Sequence, residues 1–97
     1  MRYEIMFITY PSGEIFERAK KKLIDIIELF DGNVISINDW GNKRLACTMQ
    51  GFDIGRYGLL VFEADPEYED SISTAVQLAI SARSAGLLRH LMIRMGE

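Results

Sequence analysis

The chain has 97 residues, of which 48% are hydrophobic and 26% charged, and its formal net charge at pH 7 is −3. This length suits one domain, residues 1–97, and the composition is that of a folded protein rather than a disordered one. A single cysteine, Cys47, excludes an internal disulfide framework and a multi-cysteine metal site. The sequence shows neither a leader pattern nor an apolar run of about 18 residues, so we expect a cytoplasmic protein without a membrane span.

The first half of the chain predicts a strand, a helix and a second strand. Alternating residues favour a strand from Arg2 to Tyr10. Apolar residues at helical spacing predict a helix that begins after the N-cap Ser12 and ends near Phe30, with Gly32 in a left-handed C-terminal position. The second strand is expected from Val34 to Met49, with a bulge at Gly41.

The second half predicts a hairpin partner, a helix and a last strand. Residues 51–55 are the expected connection, and Arg56 to Ala64 the third strand. Asp65, Pro66 and Glu67 form a strong helix start, and the helix is expected to end within residues 81–86. Alternation from Leu87 to Met95 predicts the fourth strand.

The order strand, helix, strand, strand, helix, strand predicts the fold class. Right-handed crossovers place both helices on one face of a four-stranded antiparallel sheet. We therefore expect an α+β ferredoxin-like two-layer sandwich.

Several strands of this sheet are apolar on both faces. The face opposite the helices normally meets solvent and carries polar residues. In the first strand Met6 and Ile8 alternate with the apolar residues Ile5 and Phe7. A second apolar face predicts a protein partner or self-association.

Catalysis has little support in the sequence. One histidine, His90, and one cysteine, Cys47, stand far apart, and no acid is indicated that would orient either of them. No Gly-rich phosphate loop follows a strand. We predict a non-catalytic protein without a cofactor or a metal site.

Residues 55–62 partly match the RNA-recognition-motif signature. The match holds at Tyr57, Gly58 and Phe62, but Leu59 replaces the central aromatic residue that would stack on a base. Base stacking on this sheet is therefore not expected, and the match fits a shared fold.

The stretch from Asp39 to Met49 is the main candidate for a contact surface. It holds the only tryptophan, Trp40, close to the cationic pair Lys43 and Arg44. The alternative is a long edge strand with Trp40 folded over the core. Cations dominate the field at short range, so a net acidic protein can still offer a basic surface to phosphate.

Five blocks resemble the bacterial small-subunit ribosomal protein six family, and together they span nearly the whole chain. They are residues 2–4, 39–41, 43–46, 57–62 and 88–90, and the Trp-Gly-any-Lys/Arg-Arg-Leu-Ala and Leu-Arg-His blocks are the specific ones. The resemblance implies the ferredoxin-like fold and binding to the central domain of small-subunit ribosomal RNA. It also implies a protein partner, small ribosomal protein eighteen, which would cover the second apolar face.

Charge, aromatic character and the resemblance together give the candidate site residues. Six cations are expected to contact phosphate: Arg2, Lys43, Arg44, Arg56, Arg89 and Arg94. Each would act mostly by counterion release, which positions the protein without reading bases. Trp40, Tyr57 and His90 are expected to pack against RNA or the partner.

A second hypothesis keeps the fold but assigns no RNA role. A domain of this fold, natural or engineered on the scaffold, would self-associate through its open sheet face. The acidic balance favours this hypothesis, as do Cys47 and Thr48, which stand where the family usually has Tyr-Pro. Co-sedimentation with small ribosomal subunits would separate the two hypotheses.

Overall fold

Four strands and two helices make up the fold, seen in a computed structural model that describes residues 1–49, 51–82 and 87–94. The elements are β1 (Arg2–Thr9), α1 (Gly13–Leu29), β2 (Asn33–Met49), β3 (Phe52–Glu63), a 3-10 turn (Pro66–Tyr68), α2 (Glu69–Ala82) and β4 (Leu87–Arg94). The sheet is antiparallel with the strand order β2-β3-β1-β4. This arrangement confirms the predicted ferredoxin-like sandwich. Within the described ranges, neither helix is long and apolar enough to cross a membrane.

One face of the sheet packs against both helices. Alternate residues of β1 point to this side, and Tyr3, Ile5 and Phe7 are fully buried. The helices contribute buried side chains at helical spacing: Phe16, Ala19, Leu23, Ile26 and Ile27 from α1, and Ile72, Val76 and Ala79 from α2. The Phe7 and Phe16 rings stack with their centroids 5.4 Å apart. The core therefore lies between the sheet and the helix layer.

The first helix begins as predicted but ends differently. The Ser12 hydroxyl accepts a hydrogen bond from the Ile15 N–H at 3.4 Å, which confirms the N-cap. The left-handed residue at the C-terminus is Asp31, with φ of 60°, so its prediction at Gly32 is wrong. Glycine is needed at position 32 for space, because a Cβ there would lie 2.5 Å from Ile27 Cγ2 and 2.9 Å from the Ile27 carbonyl oxygen.

The hairpin between β2 and β3 is longer than predicted. β3 begins at Phe52, so most of the expected connection at residues 51–55 is strand, and the turn includes Gly51 with φ of 87°. Gly55 obscured the strand pattern in the sequence. It is buried, and a Cβ there would lie 2.5 Å from Ile8 Cγ2, so the position has no room for a side chain. The predicted bulge at Gly41 is confirmed by a register shift after Asp39.

The remaining boundaries differ from the predictions by small amounts. β1 ends at Thr9 rather than Tyr10, and β3 ends at Glu63 rather than Ala64. The Asp65 carboxylate accepts a hydrogen bond from the Glu67 N–H at 3.0 Å, as a cap should, but the first turn is 3-10 rather than α. Residues 83–86 and 95, which carried the predicted end of the second helix and of the last strand, lie outside the described residues.

Candidate functional site

The sheet face turned away from the helices is apolar across three strands. The register places Met6 beside Leu59 of β3 and Leu91 of β4 on this side. Leu91 is 56% exposed and Ile93 of the same strand 46% exposed. We call this surface the open face; its apolar members are Met6, Ile8, Tyr57, Leu59, Val61, Leu91 and Ile93. The predicted second apolar face is thereby confirmed.

The β2–β3 hairpin extends past the end of β1 as a two-stranded arm. The last pair between β1 and β3 joins Thr9 to Arg56, whereas pairs between β2 and β3 continue to the turn. We call residues 43–49 and 52–55 the hairpin arm. Leu45 anchors it, buried against Ile8 on the open-face side, and Phe52 stacks on Tyr10 with centroids 4.7 Å apart. The arm is therefore fixed to the body of the sheet through Leu45 and through Phe52, the residue next to the turn.

Lys43 and Arg44 project to opposite sides of this arm. They pair in unbroken register with Gly55 and Ile54, and successive strand residues alternate between faces. Lys43 shares the side of the buried Leu45, two residues further along the strand. The Lys43 Nζ atom lies 6.0 Å from the centroid of the Trp40 ring, at the outer range of a cation–π contact. The two cations therefore present charge on both sides of the strand.

Trp40 lies at the surface. Its side chain is 45% exposed, so the alternative in which it folds over the core is wrong. Its placement follows from the bulge between Asp39 and Gly41, which interrupts the regular pairing with β3. An exposed tryptophan beside a lysine suits contact with a base, a sugar or another protein.

Arg89 lies at the same end of the sheet as the hairpin arm. Ile8 pairs with Arg89 of β4 on one side and with Tyr57 of β3 on the other, and Tyr57 pairs with Gly41 of β2. These residues form one row across the sheet, next to the arm. We call this surface the cationic end, and it comprises Trp40, Lys43, Arg44, Tyr57 and Arg89. In the part of the chain that the structure describes, none of its three cations forms an ion pair.

The other three predicted phosphate contacts are already paired with carboxylates. Arg2 contacts Glu63 at 3.0 Å, and Arg94 contacts Glu69 through Nε at 3.0 Å and Nη2 at 2.7 Å. The third pair joins Arg56 to Asp39. Sequence reasoning missed these partners because they stand 61, 25 and 17 residues away along the chain.

The arginine pairs also set the charge states of their carboxylates. The hydrogen bonds from Arg56 lower the pKa of Asp39, and those from Arg94 lower the pKa of Glu69. Both carboxylates are therefore ionised at neutral pH, and each pair presents little net charge. A phosphate would have to displace the carboxylate to bind the Nε–Nη2 edge of Arg56 or Arg94.

His90 occupies the helix side of β4. It pairs with Phe7, whose ring lies in the core, and its side chain is half-buried. Burial lowers the pKa of His90, so the imidazole is neutral at neutral pH and adds no cation to the surface. Its contact with RNA or a partner stays a prediction.

A groove of about 380 Å³ is lined by residues of the paired strands β1 and β4. It is lined by Met6, Ile8, Arg89, His90 and Leu91. Three of its five residues are apolar members of the open face, and Arg89 contributes charge at one side. No group of three His, Cys, Asp or Glu side chains close enough to bind a metal occurs in residues 1–49, 51–82 and 87–94.

The partial RNA-recognition signature has a structural explanation. Phe62 faces the helices, fully buried and stacked on Tyr3 with centroids 5.3 Å apart. Gly58 lies under the Phe7 and Phe16 rings, where a Cβ would collide with both. Of the matched residues only Tyr57 lies on the open face. The match therefore reflects core packing rather than a base-stacking platform.

Apolar side chains beside cations that form no ion pair among the described residues are typical of a surface that binds a macromolecule. Comparison with known families makes the assignment specific, because the model of the family "Ribosomal protein S6" matches residues 2–94. The chain belongs to the ribosomal protein S6 family. Members of this family are structural, non-catalytic proteins of the small ribosomal subunit, which confirms the predicted family and the predicted absence of catalysis.

Similar proteins cover almost the whole chain. Small ribosomal subunit protein bS6 of Syntrophomonas wolfei is 35% identical, over 98% of this chain and 96% of the relative. The protein of the same name from Desulforudis audaxviator is 30% identical, over 96% of each chain. The crystal structure of 30S ribosomal protein S6 from Thermotoga maritima superposes with a TM-score of 0.79 at 22% identity, over 97% of this chain and 86% of that one. This last likeness supports the fold.

Proposed function

We propose that this protein binds small-subunit ribosomal RNA through the cationic end and acts as a structural component of cytoplasmic ribosomes. The observation that carries the proposal is that three cations, Lys43, Arg44 and Arg89, gather at one end of the sheet and form no ion pair within the described residues. RNA phosphates that bind these cations would release their counterions, and no carboxylate of the protein would have to be displaced from them. Arg2, Arg56 and Arg94 rank behind them as phosphate contacts, because each is held in an ion pair.

The open face is assigned to a protein partner. The family resemblance names small ribosomal protein eighteen, and the exposed side chains of Leu91 and Ile93 support a partner there, because contiguous apolar surface usually marks an interaction site. The groove beside Leu91 would receive an apolar side chain, and Arg89 at its side would contact a polar or acidic group. Protein and RNA would then meet at Arg89, where the open face joins the cationic end.

Co-sedimentation tests the proposed function. The protein is expected to sediment with small ribosomal subunits of Syntrophomonas wolfei that have been depleted of their own bS6, at moderate salt. Binding should fall as salt rises, because phosphate contacts release counterions. A protein that stays in the supernatant at low salt, while bS6 from that organism sediments, would refute the proposal.

Leu91→Glu is expected to weaken binding of small ribosomal protein eighteen about tenfold or more. The substitution would place an unpaired carboxylate in an apolar interface, which is costly. Because Leu91 is exposed in the free protein, thermal stability should change little. Calorimetric titration with the purified partner measures the affinity.

The matched control is Leu78→Glu, which adds the same charge at a leucine that is 64% exposed on α2. It should leave partner affinity unchanged. If both variants bind equally well, the open face is not the partner's site. If Leu91→Glu instead dissolves a dimer of the free protein seen by sedimentation equilibrium, the face joins two copies of this chain.

A further inference from the structure

The Asp39 carboxylate is the centre of a small clamp at the β-bulge. It accepts hydrogen bonds from Arg56 Nε, at 3.2 Å to one oxygen and 3.1 Å to the other, and a further bond from Arg56 Nη2. The same carboxylate accepts the Gly41 N–H at 2.9 Å. One side chain thus ties together both residues that flank Trp40 and an arginine from the neighbouring strand. We call Asp39 and Arg56 the clamp.

Arg56 is itself held against the core. Its guanidinium carbon lies 5.2 Å from the centroid of the Phe16 ring, within the range of a cation–π contact. Phe16 belongs to α1 and is only 1% exposed. Arg56 therefore connects the bulge of an edge strand to a buried side chain of the helix layer.

The bulge needs such support because its backbone is irregular. Gly41 has φ of 78°, and the register between β2 and β3 shifts between Asp39 and Gly41. A bulge re-aims the side chain next to it. Here that side chain is Trp40, which stands exposed at the start of the cationic end, within 6.0 Å of Lys43.

We propose that Asp39 and Arg56 are positioning residues for RNA binding, holding the bulge so that Trp40 and Lys43 meet the RNA together. The inference rests on the proposed function. In this assignment Arg56 acts through Asp39 rather than by binding phosphate, because its Nε and Nη2 atoms donate to that carboxylate. Ordering the bulge before binding removes a cost that a loose tryptophan would otherwise add to complex formation.

Two conservative substitutions distinguish a positioning role of the clamp from a general effect of protein charge on RNA binding. Asp39→Asn removes one negative charge, so general electrostatics predicts tighter RNA binding, whereas loss of positioning predicts weaker binding. Arg56→Lys keeps the positive charge but loses the planar fork that bonds both carboxylate oxygens. A phosphate contact at Arg56 would survive this change, and the clamp would not.

The experiment measures binding of both variants to deproteinised small-subunit ribosomal RNA from Syntrophomonas wolfei, with and without small ribosomal protein eighteen, at several salt concentrations. Each variant is expected to bind about fivefold more weakly, the cost of ordering one mobile side chain. The salt dependence should equal that of the wild type, since no phosphate contact is lost. Trp40 is the only tryptophan, so its fluorescence should show greater acrylamide quenching in both free variants.

Matched controls use the exposed pair Arg18–Glu14 on α1, which has no part in the proposed RNA contact. Glu14→Gln and Arg18→Lys make the same changes in charge and should leave both quenching and RNA affinity within about twofold of wild type. Tighter binding by Asp39→Asn, unchanged quenching in the variants, or wild-type RNA affinity of Arg56→Lys would each overturn the assignment. If the wild-type protein itself fails to bind the RNA, the proposed function falls and the inference falls with it. If the wild-type protein binds the RNA and both variants bind it with the same affinity, the proposed function stands and only the inference fails.

Discussion

Replacing Lys43 and Arg44 together by alanine is expected to weaken RNA binding roughly 25- to 60-fold at about 0.1 M salt. Each cation that neutralises a phosphate releases roughly 0.7 to 0.9 counterion, so the slope of log affinity against log salt should become shallower by about 1.4 to 1.8. Both residues lie exposed on the hairpin arm without an ion pair among the described residues. Titration with deproteinised small-subunit ribosomal RNA at several salt concentrations measures both quantities.

The control for this double substitution is Lys21→Ala with Lys22→Ala. These two lysines are exposed on α1, in the helix layer, and their loss changes net charge by the same amount. Only a general charge effect would make the two double variants equal. Unchanged affinity and slope in the hairpin-arm variant would show that RNA does not contact Lys43 or Arg44.

The single substitutions carry further information because the two side chains point to opposite sides of the strand. Lys43 lies on the side of Leu45, Trp40 is close to it, and Arg44 faces away. An RNA that lies flat across the sheet would depend on Lys43 and Arg89 and tolerate Arg44→Ala. If a groove of the RNA instead encloses both sides of the arm, replacing Lys43 or Arg44 should lower the RNA affinity equally.

Features set by neighbours in sequence were predictable. The Ser12 cap, the bulge at Gly41 and the Asp65 helix start depend on residues within one turn of each other. The open face followed from alternation alone, since period-two patterning assigns residues to faces whatever the register. Fold class followed from element order and the handedness of crossovers.

Features set by contacts between distant residues were not predictable from composition or spacing. A list of cations cannot show that Arg56 is bound by Asp39 or Arg94 by Glu69, because those pairs form only when the register is known. Six cations therefore looked equivalent in sequence, whereas the fold divides them into three that form ion pairs and three that form none with any residue the structure describes. The anchoring role of Leu45 was recoverable, since alternation places it on the face opposite Arg44.

Glycine positions were assigned with mixed success for a related reason. A left-handed backbone is a local property and was expected at Gly32, yet Asp31 adopts it. Gly32, Gly55 and Gly58 are instead required because other parts of the chain leave no room for a Cβ. Such crowding depends on tertiary packing, and only the folded structure reveals it.

Gly58→Ala is expected to lower the free energy of unfolding by about 1–3 kcal/mol, the usual cost of overpacking a core. The new Cβ would lie 2.5 Å from Phe7 Cζ and 2.8 Å from Phe16 Cε2. Both rings are almost fully buried and stacked on each other, so neither can withdraw without opening the core. Urea denaturation measures the change, which should appear in the midpoint with little effect on the slope.

A compensating substitution distinguishes this collision from a general effect of replacing glycine in a strand. Phe7→Leu removes the ring atoms nearest to the new Cβ, so the double variant should lose less stability than the sum of the single variants, by at least about 0.5 kcal/mol. Gly13→Ala is the matched control, because a Cβ there meets only the flexible Arg56 side chain at 3.3 Å. Alanine is the better helix former at that position, so stability should stay the same or rise slightly. Strict additivity of Gly58→Ala and Phe7→Leu would show that the rings do not set the requirement for glycine.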